Sequence, residues 1–173
     1  LSAKIGTPRE TFPGERRVAV TPRHCEALRK SGIEVLIERH AGVEAGYPDE
    51  AYSARGAQVV DRETVFAEAD AIAQVRALGA NPDAGRADLA MLRPGQAVVG
   101  FGEPLTAAQE AGELAARGVS FFAMELMPRI TRAQSMDALS SMSTIAGYEA
   151  VLIAATRLPK LFPMLMTAAG TIA

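Results

Sequence analysis

Short apolar runs of strand length recur along the chain, with longer mixed stretches between them and glycines at many of the joins. "AKIGT" (3–7), "IEVLIE" (33–38), "AQVV" (57–60), "DAIAQV" (70–75), "GQAVVGF" (95–101) and "VSFFAM" (119–124) read as strands. A polar loop, "PRETFPGERRVAV", follows the first. Thr21 then caps a helix that has Pro22 at its first position and Gly32 past its end. "PDEAYSARG" is a short helix closed by Gly56, and "TAAQEAGELAARG" a helix capped by Thr106 and closed by Gly118. "DRETVFAEA" separates the third and fourth strand candidates. Connections this long cannot be hairpins, so the strands run mainly parallel under a cover of helices. The pattern predicts a doubly wound α/β domain over residues 1–138.

From about Ser140 to Lys160 the rhythm changes, because "STIAGYEAVLIAATRL" has helical spacing and outlasts any strand. It predicts a long connecting helix within 139–164 that leaves the first domain, with Pro159 and Pro163 marking its end. Met164, Leu165, Met166 and Ile172 then lie in a tail, 165–173, with no later element to cover them. That tail reads as the start of a further domain.

Composition narrows the partners. A net charge of −2 and the lack of any Lys/Arg block offer no footprint for nucleic acid or for a membrane surface. No uninterrupted apolar run approaches the roughly 20 residues of a spanning helix, so no direct membrane insertion is expected. The single cysteine, Cys25, cannot form an internal disulfide, and "LSAKIGTPRE" lacks the features of a signal peptide. A cytoplasmic location is the resulting expectation.

Several motifs carry little chemistry. "GFGEPL" (100–105) stands between a strand and a helix, the context of a dinucleotide-binding turn, but Leu105 replaces the third glycine and Pro104 stiffens the turn. His24 and His40 lack metal spacing, so no metal site is expected, and His24 reads as an exposed helix residue. Cys25 reads as a small buried apolar residue. Glu15, Arg16 and Arg17 follow the first strand, where open α/β sheets place ligands. From composition alone, a solvated loop with a weak surface ion pair is the favoured reading of them.

"PRITRAQSMDALSSMSTIAGYEAV" (128–151) is the strongest signal. It gathers Arg129, Gln134 and Asp137 with six hydroxyl residues just before the long helix. A guanidinium donates in a planar fork, an amide both donates and accepts, and a carboxylate accepts, a set that suits a carboxamide and ribose hydroxyls. Helix capping by Ser135 or Asp137 is the competing explanation; it covers the serines but not the arginine and glutamine.

At these two stretches the chain resembles a known family. "IGTPRETFPGERRVAVTP" is similar to the N-terminal signature shared by alanine dehydrogenases and the alpha subunit of proton-translocating NAD(P)+ transhydrogenase. "MELMPRITRAQSMDALSSMSTIAGYEAV" resembles the transhydrogenase branch in particular. The resemblance runs essentially end to end and implies a Rossmann- or flavodoxin-like fold lacking its second, dinucleotide-binding domain. It implies that Arg129, Gln134 and Asp137 are catalytic, and that these with Ser140 and Tyr148 bind the nicotinamide end of NAD(H). NADP(H) would sit on a partner subunit beside a membrane subunit. A homodimer, peripheral at the cytoplasmic face of a bacterial inner membrane, completes the expectation.

Direct hydride transfer between two nicotinamides needs alignment and exclusion of water more than an acid or base. In the amino-acid dehydrogenase branch, the resemblance places the catalytic lysine near Arg76 and the catalytic histidine near Glu103, while Arg17 matches a carboxylate-binding arginine. A guanidinium and a carboxylate are poor substitutes for a lysine and an imidazole as proton shuttles, which disfavours oxidative deamination. A third reading takes the stretch Met142 to Met166 as the surface of a non-catalytic dimerisation module. In the family the glycine-rich fingerprint follows the equivalent of "MTAAGTIA", and a later segment returns to the first domain; neither is in this sequence.

Overall fold

The computed structural model describes residues 2–160, 162, 165–168 and 170–172. The expectations placed on Pro163 and Met164 fall outside the described residues. The chain forms two compact units, Leu1–Pro128 and Arg129–Ala173.

The first unit is built on β1 (Ala3–Thr7), β2 (Ile33–Glu38), β3 (Gln58–Val60), β4 (Ala71–Arg76), β5 (Ala97–Phe101) and β6 (Ser120–Ala123). All neighbouring pairs are parallel, in the order β3-β2-β1-β4-β5-β6. This is the doubly wound order of dinucleotide-binding folds, with its reversal of winding between β1 and β4. The helices α1 (Pro22–Lys30), α2 (Asp49–Ser53), α3 (Arg62–Glu68), α4 (Gly85–Met91) and α5 (Ala108–Ala116) connect the strands.

Two apolar layers flank the sheet. Val35 and Ile37 of β2 join Cys25 and Tyr52 on one face, while Leu36 between them joins Phe66, Ile72, Val98 and Leu114 on the other. A strand buried on both faces has to be apolar at successive positions, which is why "VLI" does not alternate. On β1, Gly6 lets α3 approach closely: a Cβ there would lie 2.8 Å from Ala69 Cβ and from Val65 Cγ1.

Helix termini differ in part from expectation. Asp61 accepts from the Thr64 N–H at 2.7 Å and caps α3. Thr21 occupies the N-cap of α1, but its hydroxyl meets His24 Nδ1 at 2.9 Å and makes no cap bond. Thr106 does not cap α5. The N-cap position is Ala107, and Thr106 Oγ1 donates instead to the carbonyl of Glu103 at 3.2 Å, inside the turn after β5. Helix α4 was not foreseen; seven residues opening on a glycine offer too short a period to read.

The second unit holds a 3-10 turn, Thr131–Met136, then α6 (Ala138–Arg157) and the antiparallel pair β7 (Leu165–Thr167) and β8 (Gly170–Ile172). The tail thus pairs with itself, Leu165 opposite Ile172. Helix α6 ends just before Pro159, whose ring disfavours a helical residue ahead of it. No residue of α6 is buried, and Ile145, Tyr148, Val151, Leu152 and Ile153 are all exposed. By length and mean hydropathy (1.3) alone, α6 is long and apolar enough to cross a bilayer, although it contains no uninterrupted apolar run of that length.

Candidate functional site

The loop after β1 crosses the point where the sheet reverses its winding. Glu10 accepts the backbone N–H of Val75 at 2.6 Å and of Arg76 at 3.0 Å, at the carboxyl end of β4. Arg76 Nε donates to Glu15 at 3.0 Å, and its guanidinium stands 4.2 Å from the centroid of the Phe12 ring. Glu15 also takes Arg17 Nε at 2.7 Å and Nη2 at 2.6 Å. Glu15 is therefore not part of a solvated loop: its side chain is only 6% exposed, and it ties two arginines together. Arg16, 77% exposed with a 3.6 Å contact to Glu44, does match a solvated charge. Between this loop and residues 40–44 lies an open cavity of about 710 Å³.

The two anchors of the loop have different electrostatics. Hydrogen bonds from Arg17, with those from Arg76, hold the Glu15 carboxyl down to about 2. Burial pushes Glu10 up to about 6 despite its two amide bonds. Beneath the loop, Arg62 joins three elements: its Nη1 reaches Glu38 at 2.6 Å, its Nη2 Asp88 at 2.5 Å, and Gln74 donates to the other Asp88 oxygen at 2.8 Å. None of these partners was legible beforehand, because they lie far apart in sequence and are joined only when β1, β2, β4 and α4 assemble.

In the second unit, Asp137 stands at the N-cap of α6 and accepts from the Ser140 N–H at 3.0 Å and the Ser140 hydroxyl at 2.6 Å. Those bonds lower its pKa, with Arg129 adding a smaller electrostatic pull. The structure thus brings Asp137 and Ser140 together, with Arg129 in electrostatic range. Arg129 and Gln134 are exposed, and Arg129 acts on Asp137 only through the electrostatic pull just described. Tyr148 is 69% exposed and lies about 12 Å along the helix from Ser140, at 1.5 Å per residue. Capping accounts for Asp137 and Ser140; it leaves Arg129 and Gln134 without a structural task.

The "GFGEPL" turn has a built-in occupant. Glu125 accepts the N–H of Gly102 at 2.8 Å and the N–H of Glu103, so the amides that would cradle a phosphate are already taken. Glu103 holds a left-handed backbone, φ 48°, which turns successive amides toward one point. Cys25 is fully buried and His24 is exposed, as expected. Among the described residues no cluster of His, Cys, Asp and Glu is arranged to hold a metal ion.

A six-stranded parallel sheet in this order, with its winding reversal strapped by a charged loop, defines a doubly wound, Rossmann-like α/β domain. The chain belongs to the alanine dehydrogenase/PNT N-terminal domain family, whose model matches residues 6–146. It is 43% identical over 170 residues to an NAD(P) transhydrogenase subunit alpha from Cereibacter sphaeroides, covering 98% of this chain and 31% of that protein. Among solved structures, the transhydrogenase from Sinorhizobium meliloti superposes with a TM-score of 0.87 at 37% identity, over 98% of this chain and 49% of that one. An L-alanine dehydrogenase superposes with a TM-score of 0.77 at 27% identity, over 88% of this chain and 40% of that one. The chain spans less than half the length of each of these proteins.

Proposed function

We propose that the chain is the N-terminal part of the NAD(H)-binding component of a proton-translocating NAD(P)+ transhydrogenase. In this reading hydride passes from NADH to NADP+ held by a partner subunit, and membrane subunits couple the transfer to proton movement. The observation that carries it is the similarity over 98% of the chain to a transhydrogenase alpha subunit, in a sequence that includes the "PRITRAQSMD" loop. The component would sit at the cytoplasmic face of the membrane through those partners.

The donor set fits a nicotinamide. Arg129 offers a planar fork and Gln134 a donor and an acceptor, and both are exposed. Asp137 and Ser140 are held to each other at 2.6 Å and present a fixed carboxylate edge at the helix start. Tyr148 would lie at the far end of the site. The cofactor supplies the reacting C4 carbon; the loop's part is to orient the carboxamide and keep water out. The pyrophosphate and adenosine contacts belong to the longer protein, so this chain alone is expected to be inactive.

The test is reconstitution. Full-length protein with its partner subunits should reduce an NADP+ analogue at the expense of NADH much faster than the partners alone; equal rates would remove the reading.

Two alternatives are weaker. An alanine dehydrogenase-like activity draws on the 0.77 superposition. Against it, Arg76, at the place the resemblance gives to a lysine, is committed to Glu15 and Phe12. Alanine-dependent NADH formation by the full-length protein would favour it. A dimerisation role for the stretch Met142 to Met166 draws on α6, none of whose residues is buried. Loss of a dimer on truncation at about Leu139, read by light scattering, would support that role, which is compatible with the enzyme reading.

A further inference from the structure

The cavity of about 710 Å³ opens between the strap that follows β1, residues 9–17, and the turn that follows β2, within the first unit. Its charged groups are not equivalent. Both oxygens of Glu10 accept backbone N–H groups of β4, and Glu15 accepts from Arg17 and Arg76. Arg9, Arg16 and His40 are exposed at the rim. Glu44 stands 3.6 Å from Arg16, with both side chains more than two-thirds exposed. A pair that exposed contributes little, so a ligand anion can replace Glu44 at small cost. Phe12 and Val43 add an apolar wall.

His40 is the least ordinary of these residues. Its backbone is left-handed, φ 64°, a conformation that is costly for a residue with a Cβ and that clusters at functional sites. Asp49, the first residue of α2, grips it twice: one oxygen accepts the His40 N–H at 2.8 Å and the other lies 3.3 Å from the ring Nδ1. The Asp49 side chain is 17% exposed, the His40 ring 62%. A mostly buried carboxylate on Nδ1 fixes the ring and leaves Nε2 as the nitrogen that the cavity can use. The arginines are also carried on anchored backbone. Arg9 donates its N–H to Glu38 at 2.7 Å, and its carbonyl accepts from Arg62 at 3.0 Å. Arg16 sits between Glu15 and Arg17, which are bonded to each other.

We propose that this cavity binds a phosphate group, with Arg9 and Arg16 giving guanidinium donors and His40 Nε2 the third contact. Two planar forks match phosphate oxygens. Hydrogen phosphate suits His40 in either tautomer, because it carries an O–H to donate as well as oxygens that accept; a carboxylate has acceptors alone. The ligand is inorganic phosphate or a small phosphate monoester. The inference is independent of the nicotinamide reading, because no residue of the stretch 129–148 lines the cavity.

NMR of the full-length protein tests it. The His40 ring signals, identified by their loss in His40→Gly, should shift saturably on titration with inorganic phosphate at constant ionic strength. Glycine suits the left-handed backbone, so His40→Gly should fold as the wild type does. Arg16→Ala should weaken the affinity read at His40 about tenfold or more, the typical effect of losing one charge-assisted hydrogen bond. Arg16 is 77% exposed, so its truncation should leave the fold intact. Glycerol phosphate titrated in parallel separates a monoester from free phosphate, by whichever binds more tightly. No saturable shift with either, an equal shift with acetate or chloride, or wild-type affinity in Arg16→Ala overturns the proposal.

Discussion

Arg76 stacks its guanidinium 4.2 Å from the centroid of the Phe12 ring while its Nε donates to Glu15. A cation over an aromatic face and a carboxylate at its edge hold the side chain in one orientation. That arrangement has a pH signature. The Glu15 carboxyl is held down to about 2 by Arg17 first and Arg76 second. A depressed folded pKa contributes stability that is complete above the unfolded value of about 4.5 and is lost as pH falls toward 2. Glu15→Gln should therefore lower stability at pH 7, with the deficit shrinking on acidification below pH 4. Urea midpoints at pH 7, 4 and 2.5 read this; a deficit independent of pH would mean that the carboxylate charge is not what holds the arginines.

Arg62 is the hub beneath the strap, and its loss would leave Asp88, whose side chain is 6% exposed, without its cation. Removing one member of a buried pair costs about 3 kcal/mol or more. Arg62→Ala should lose about that much in chemical denaturation. Asp88→Asn, which retains an acceptor for Arg62, should lose less.

Two glycines should respond in opposite directions to the same change. A Cβ on Gly79 would sit 1.8 Å from the Gly102 carbonyl oxygen, backbone against backbone, so Gly79→Ala should drive the β4 and β5 turns apart and sharply lower the melting temperature. A Cβ on Gly112, inside α5, meets nothing within 4 Å. Gly112→Ala should stabilise by about 0.5–1 kcal/mol, from the lower entropy of its unfolded chain. Thermal unfolding of the pair checks both signs.

Asp137 has two candidate roles that one substitution separates. Serine is as good an N-cap as aspartate but carries no charge. On the proposed function, Asp137→Ser should keep the helix content of α6 while slowing hydride transfer in the full-length complex. Unchanged helix content with unchanged transfer would leave capping as the whole role of Asp137. A pH effect accompanies the wild type: its lowered pKa gives a contribution that is present above the ordinary value of 3.8 and lost below it.

On the proposed function, Arg129→Ala in the full-length protein should act mainly on the transfer step, with little loss of NADH binding. Losing a charge-assisted hydrogen bond in the transition state corresponds to roughly one to two powers of ten in rate. Stopped-flow transfer at saturating NADH, paired with thermal unfolding, separates this from a purely structural role. A well-folded variant with the wild-type rate would remove Arg129 from the site.

The six strands and the helix Ala138–Arg157 were legible in the chain because period and apolar content are local properties. "IEVLIE" can bury both faces only inside a parallel sheet, and a helical run ahead of Pro159 has only one place to end. The Arg129–Asp137 loop was legible as a concentration of donors. Its division of labour was not: whether Asp137 turns to Ser140 or outward depends on backbone angles at the helix start. Thr106 failed as a cap for the same kind of reason, since the turn at Glu103 drew its hydroxyl away.

What the sequence determined by itself is the class of the sheet, its elements and the presence of a polar loop before a long helix, all set by interactions between residues close along the chain. The tertiary structure alone decided that Glu10 caps β4, that Glu15 joins Arg17 to Arg76, that Glu125 fills the turn after β5, and that Arg62 reaches Asp88. Charged side chains look alike in a sequence, since each would be well solvated in an open loop. Which of them loses its water, and which partner replaces that water, is determined only when strands distant in sequence come to lie side by side.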